Sequence, residues 1–346
     1  MVRTVNGQPG SLRSPAGPTS GGRGGRHSAS GRPLTSQQRF AVWIRRHRVA
    51  PYLLLVPSIA LIGVLVLYPT VQIGVISFQN YGLQQEIGTL PTQWVGFGNY
   101  SQILHDPEFW LSLRISLISA VVMVPLTLVV GTLVGLLLSR LGPRMAAFVS
   151  SVATLAWATP AVSASVVFVW LATPDGGVVD WFLSKWPSWL GGGAHWAAFS
   201  WTNAALPAYT LITILVVWSG FPFVAVSVLA GLRTIPSELH ESARVDGASG
   251  WRIFWKVTFP LLKPIFLVLV LLSIIWDFGV FTQVYIVIGE LGQRDLYNLG
   301  IYEYANAFNM PPEYGLASAG AFILTIILLI LTVGYVRASV RQGALR

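Results

Sequence analysis

The sequence predicts an all-α integral membrane protein with six transmembrane helices. The composition is 53% hydrophobic and only 10% charged, with a mean hydropathy of +0.63, far from the balance of a water-soluble domain. Six apolar runs are each long enough, at about 20 residues, to cross the hydrocarbon. Lys and Arg gather between alternate runs, as the positive-inside rule requires.

Residues 1–48 are rich in Gly, Ser, Pro and Arg and carry too little apolar surface to fold, so a disordered basic cytoplasmic tail is expected there. Arg45, Arg46, His47 and Arg48 then precede an apolar stretch, as in a signal peptide. Tyr52 to Ile76 is too long for that and lacks a clean small-residue cleavage site, so 49–78 reads as an uncleaved first helix.

An outer loop is expected over 79–111, a five-helix core over 112–337 and a short inner tail over 338–346. The remaining runs lie near Leu113 to Leu138, Ala147 to Leu171, Leu206 to Ala230, Ile265 to Ile288 and Leu316 to Val336. In lipid the backbone groups have no water to bond, so runs of this length are helices.

Of the 22 Lys and Arg, only Arg114, Lys185 and Arg294 fall outside when the N-terminus is placed inside. Glu86, Asp106, Glu108, Asp175, Asp180, Glu290, Asp295, Glu303 and Glu313 mostly take the outer side. Both termini are therefore expected in the cytoplasm. The outer segments also hold Trp94, Trp110, Trp181, Trp186, Trp189, Trp196 and Trp201, which read as an interfacial aromatic belt.

Several chemistries are excluded. With no cysteine there is no disulfide, thiolate nucleophile or Cys-ligated metal. No Lys follows a Gly, so no Gly-x-x-x-x-Gly-Lys phosphate loop exists. The five His are scattered, and His240-Glu241 lacks the second His of a zinc protease helix, so no metal site is expected. The net charge of +9 lies in clusters between spans and does not form a nucleic-acid face.

The inner loop between the fourth and fifth runs, 231–263, is neither disordered nor merely basic. Pro236, Ser237 and Glu238 start a short helix that ends where Gly247 permits a turn. Gly250 offers a second turn. Trp251, Phe254, Trp255 and Thr258 then recur at i, i+3, i+4, i+7, giving an amphipathic helix expected to lie along the membrane surface until Pro260 breaks it. Asp246 is expected to cap or brace that second helix.

Glu241-Ser242-Ala243, three residues, Gly247, nine residues, Val257, one residue and Phe259-Pro260 resembles the cytoplasmic signature of ATP-binding-cassette importer permeases. There the pattern is Glu-Ala-Ala, Gly, Ile and Leu-Pro at the same spacing. The wording Ala243-Arg-Val-Asp-Gly-Ala-Ser249 is most similar to carbohydrate permeases of the maltose and glycerol-phosphate type. Val95-Gly-Phe-Gly-Asn-Tyr100 and Tyr314-Gly-Leu-Ala-Ser-Ala319 agree with it. Ile288-Gly-Glu-Leu-Gly292 departs from the Thr-x-Gly-Gly-Pro often found in that family.

The resemblance implies the type I importer permease fold, with the loop acting as a coupling helix for a partner ATPase. Glu241, Ala243, Asp246, Gly247, Val257 and Pro260 are its candidate coupling residues. The partners implied are a second homologous permease, an ATPase dimer carrying ATP and Mg, and an extracytoplasmic solute-binding protein. This chain itself would bind no cofactor, and it would move a sugar or oligosaccharide across a bacterial inner membrane.

Asp277 is an acidic residue inside an apolar run, which is costly unless it faces a cavity or a partner. Ser273, Trp276, Asp277 and Val280 share one helical stripe, combining a hydroxyl, an aromatic plate and an acceptor that suit a sugar. The other reading has Asp277 bonding a neighbouring helix while Trp276 simply packs. In maltose-type permeases these positions, with Ser219, Gly220 and Phe223, line the sugar cavity. Pro222 is expected to interrupt the fourth helix beside Gly220. A membrane-embedded enzyme would need paired acids or metal ligands, and a secondary transporter would need no ordered docking loop.

Overall fold

A computed structural model describes residues 50–174, 176–196, 199–289 and 294–341. The expected tail 1–48, Asp175, the Glu290–Gly292 part of the departing motif and residues 342–346 lie outside the described residues. The chain divides into units Met1–Gly63 and Val64–Arg346. In the first, the described part is helix α1, Ala50–Ile62, apolar throughout.

The second unit holds α2 (Tyr68–Ile76), a two-strand hairpin pairing Gln79 with Trp94 and Asn80 with Gln93, a single turn α3 (Leu83–Glu86) and α4 (Gly98–His105). After these come α5 (Pro107–Ser139), α6 (Pro143–Ala158), α7 (Ala161–Leu171), α8 (Val178–Lys185) and α9 (Ala205–Leu232). The 231–263 loop gives α10 (Ser237–Val245) and α11 (Gly250–Ile253). Beyond it lie α12 (Phe259–Phe278), α13 (Thr282–Ile288), α14 (Leu299–Phe308) and α15 (Tyr314–Arg341).

Among the described residues five helices are long and apolar enough to span a membrane, and the α6–α7 pair makes a sixth if its halves form one span. That pair bends by 93°, whereas an unbroken third helix is expected from the sequence. Pro160 has no N–H to give the helix, and it drives Thr159 to an extended ψ of 128°.

Two other prolines do the opposite of what the sequence suggests. Pro222 sits inside an uninterrupted α9, where flanking helices over-determine the path. Pro260 does not end the second loop helix. A π turn over Phe254–Thr258 joins α11 to α12, with Phe259 N–H bonding back to the Phe254 carbonyl. This wider turn, just ahead of Pro260, admits the ring, so the helix rises from the loop directly into the fifth span.

The most extensive helix pairing is between α5 and α9, and it is built on small residues. A Cβ on Gly131 would lie 2.4 Å from Val224 Cβ, and one on Gly135 would lie 2.9 Å from the Ala225 carbonyl oxygen. Backbones meet this closely only where one side carries no side chain.

Candidate functional site: a midspan cavity and the 231–263 loop

The interruptions that do occur define the cavity. The fifth span breaks at Gly279 and resumes at Thr282, and the third bends at Thr159–Pro160. Between them lies a cavity of about 430 Å³ lined by Trp157, Thr159, Ser219, Gly220, Trp276, Asp277, Val280, Thr282 and Gln283, among others. Its volume falls in the range of small-molecule sites.

Five sequence candidates, Ser219, Gly220, Trp276, Asp277 and Val280, thus meet in one place. Phe223 is not in the lining. Its ring sits behind, stacked on Trp157 at 5.7 Å and edge-on to Trp276 at 5.5 Å. Ser273 is buried and also off the lining. Asp277 is 8% exposed, and its Oδ2 has no hydrogen-bond partner. Among the described residues it forms no bond to a neighbouring helix, so that alternative finds no support. The arrangement joins an aromatic wall to a carboxylate, hydroxyls and an amide, able to accept from and donate to a polyhydroxylated molecule.

Trp157, Thr159, Thr282 and Gln283 escaped the sequence reading. Their signal was present: Trp157 and Thr159 lie just before Pro160, and Thr282-Gln283 are polar residues just past a glycine in an apolar run.

The end of the bundle that holds Asn298, the outer one as expected from the sequence, is tied across elements. Asn298, 2% exposed, donates from Nδ2 to the Val280 carbonyl at 2.5 Å, while its Oδ1 accepts from Ile301 N–H. Leu299 N–H donates to Ser116 Oγ at 2.9 Å and Tyr209 OH to the Leu296 carbonyl at 2.9 Å. Tyr302 OH donates to Asp106 at 2.6 Å, and Arg294 grips Glu108 at 3.1 and 3.2 Å. Burial and the bond to Asp106 raise the Tyr302 phenol. Burial against the last helix, where its stem abuts Gly320, pushes Glu303 up to about 8.

The end that carries the 231–263 loop, the inner one as expected from the sequence, is built differently. Helix α10 closes in a Schellman turn: Ala248 N–H bonds the Ala243 carbonyl and Gly247 N–H the Arg244 carbonyl, both at 3.0 Å, with Gly247 at φ +74°. Asp246 is the C-cap of α10. The cap of the next helix is Ser249, whose Oγ accepts from Arg252 N–H, which corrects the role expected for Asp246: the turn leaves it three residues short of the N-cap.

Glu241 and Gly247 are exposed, Ala243 and Val257 are half-buried, and Pro260 is exposed at the start of α12. The aromatic stripe is only partly outward: Trp251 is 73% exposed, but Thr258 is buried. Trp251, Phe254, Trp255, Phe259 and Phe266 form a continuous run of ring contacts.

Residues 127–342 match the family model of the binding-protein-dependent transport system inner membrane component. The chain belongs to this family. It is 41% identical over 301 residues, 86% of this chain and 89% of the relative, to the diacetylchitobiose uptake system permease protein DasB of Streptomyces coelicolor. It is 28% identical, over 88% of this chain and 96% of the relative, to the trehalose/maltose transport system permease protein MalF of Thermococcus litoralis.

In fold it matches a chain of a bacterial ABC transporter involved in the import of the acidic polysaccharide alginate. That likeness has a TM-score of 0.71 at 19% identity, and covers 88% of this chain and 99% of that one. This inner membrane component is the multi-pass permease subunit of a carbohydrate ABC importer, with the type I permease fold. It is a transport component and not an enzyme.

Proposed function

We propose that the chain forms half of the pathway for a sugar or oligosaccharide, paired with a second homologous permease and driven by an ATPase dimer gripping the 231–263 loop. The feature that carries this reading is α10. Its outward face presents Glu238, Glu241, Ser242, Arg244 and Val245, the last 88% exposed, and among the described residues none of these side chains bonds outside the helix. An exposed Val beside alternating charges, on a helix fixed by a glycine turn, suits a groove on another subunit.

Glu241 makes the charged contact, Ala243 keeps the approach close, and Gly247 holds the turn. Val257 and Pro260 place the helix that follows. ATP and Mg belong to the ATPase, a solute-binding protein delivers the sugar from outside, and both termini face the cytoplasm, on the inner side of a bacterial membrane. Closure of the ATPase dimer then moves the spans as rigid bodies and exposes the cavity alternately to each side.

Within the cavity, Asp277, Ser219 and Gln283 bond hydroxyl or amide groups, while Trp276 and Trp157 receive an apolar sugar face. Ser273 and Phe223 support that surface from behind. Diacetylchitobiose, the solute in the DasB name, is the first sugar to test.

The test replaces Glu241 by Ala and Gly247 by Val in the assembled transporter, then measures ATPase co-purification and uptake of a sugar panel. Uptake should fall at least about tenfold, the loss of about 1.4 kcal/mol at the contact, with the permease still in the membrane. Retained uptake and a retained ATPase would refute the docking role.

A further inference from the structure

Helix α10 is tied to the fifth span by very little. Among the described residues a single side-chain hydrogen bond crosses between them, His240 Nε2 to Thr258 Oγ1 at 3.1 Å. His240 and Ala243 are the half-buried positions on a helix otherwise exposed. Glu241, the neighbour of His240, faces outward, so the docking contact and the internal tie are adjacent residues on opposite sides of one turn.

Thr258 is 4% exposed and closes the π turn at which the loop helix becomes the membrane helix. A π turn holds its backbone by longer i to i+5 bonds and is a recurrent feature of functional sites. A force on α10 arrives there at the one place where the helix is already wound off register.

Just beyond, Gly231 at the end of α9 is wedged against the same span. A Cβ there would lie 2.3 Å from Ile265 Cδ1 and 2.7 Å from Leu262 Cδ2. Whatever displaces Thr258 therefore carries the inner ends of both the fourth and fifth spans, and these hold Ser219, Gly220, Trp276 and Asp277 at the cavity.

We infer that His240 is a positioning residue for transport: a strut that passes the movement of the docked helix through Thr258 into the spans lining the cavity. This rests on the docking reading above. The chain itself links α10 to the fifth span only by way of the turn at Gly247 and the short helix after it, so without the strut the stroke has only that indirect path. His suits the task because its ring is stiff and reaches a buried hydroxyl from an exposed helix.

The experiment uses the complete transporter in proteoliposomes, with diacetylchitobiose first from the panel. Sugar moved per ATP hydrolysed is measured for His240→Ala, His240→Gln, Thr258→Val and the Ala/Val double variant. Loss of one net hydrogen bond predicts that His240→Ala and Thr258→Val keep the ATPase bound while sugar per ATP falls about three- to tenfold. The Gln variant, which retains a donor near the Nε2 position, recovers most of it, and the double variant is no worse than either single one.

A merely structural role would lower the amount of assembled transporter but leave sugar per ATP unchanged, and that result overturns the strut. So do losses that add in the double variant. Should His240→Ala fail to assemble, Thr258→Val tests the same bond from its buried end. If Glu241→Ala leaves docking and uptake intact, the docking reading fails. If it abolishes them while His240→Ala and Thr258→Val match the parent, only the strut fails.

Discussion

The two ends of this membrane bundle are held in opposite ways. At the outer end Asn298, Ser116, Tyr209, Tyr302, Asp106, Arg294 and Glu108 join four elements by hydrogen bonds, much of this set shielded from water. At the inner end α10 closes its own turn and, among the described residues, reaches the bundle through one side-chain hydrogen bond, His240 to Thr258. The outer end is bonded within the chain, whereas the inner end leaves the face of α10 exposed. Where polar bonding is spent on internal closure, the structure resists motion; where it is left outward, motion can be supplied from outside.

That contrast can be broken most severely at Asn298. Replacing it by Leu leaves the Val280 carbonyl and Ile301 N–H without their partners in a buried site, costing about 1–3 kcal/mol for each unsatisfied group. The expected outcome is a marked drop in the melting temperature of the purified complex, with the break at Gly279 losing its outer support. An unchanged melting temperature would show that the outer end is not held by these bonds.

A middle-sized effect belongs to Glu303. Its carboxyl is raised from 4.5 to about 8 by burial, so the folded protein favours the neutral form. The stability this gives is fully present below about pH 4.5 and is lost as pH rises through about 8. Melting temperature should therefore fall between pH 5 and pH 9 in the parent, and Glu303→Gln should flatten that slope. An identical slope in the variant would remove Glu303 from the account.

The smallest effect is expected at Arg294, which is 63% exposed beside a Glu108 that is 40% exposed. Arg294→Ala should cost about 0.2–1 kcal/mol, and less at high salt. A larger loss, measured by denaturation in low and high salt, would mean that this ion pair closes the outer end more firmly than its exposure allows.

Span number and approximate ends were readable because hydrophobic length is a local property and the bilayer sets its scale. The Schellman turn at Gly247 was readable too, since it needs only a glycine at the right place. The prolines were not. Pro160 bends its helix while Pro222 and Pro260 are carried through, and the difference lies in the neighbouring turns and packed helices, which no single-residue rule contains.

The same holds for the cavity. The stripe through Trp276, Asp277 and Val280 followed from helical period, but Ser273 and Phe223 fell behind the lining because the break at Gly279 re-aims the wall. Trp157 enters from a helix more than a hundred residues away, and the Asn298 bond to Val280 joins residues 18 apart across that break. Neither leaves a periodic trace.

The glycine contact between α5 and α9 bears on how a pump built from this chain can divide its labour. At Gly131 and Gly135 the α5 backbone lies directly against Val224, Val228 and the carbonyls of α9, and a β-branched side chain in a helix is held to one preferred rotamer, so little slack remains. Such a pair has one way to fit and moves as one piece. It is the fixed seam of the bundle, set against the fifth span with its π turn and the third with its 93° bend, two helices whose hydrogen-bond ladders are interrupted.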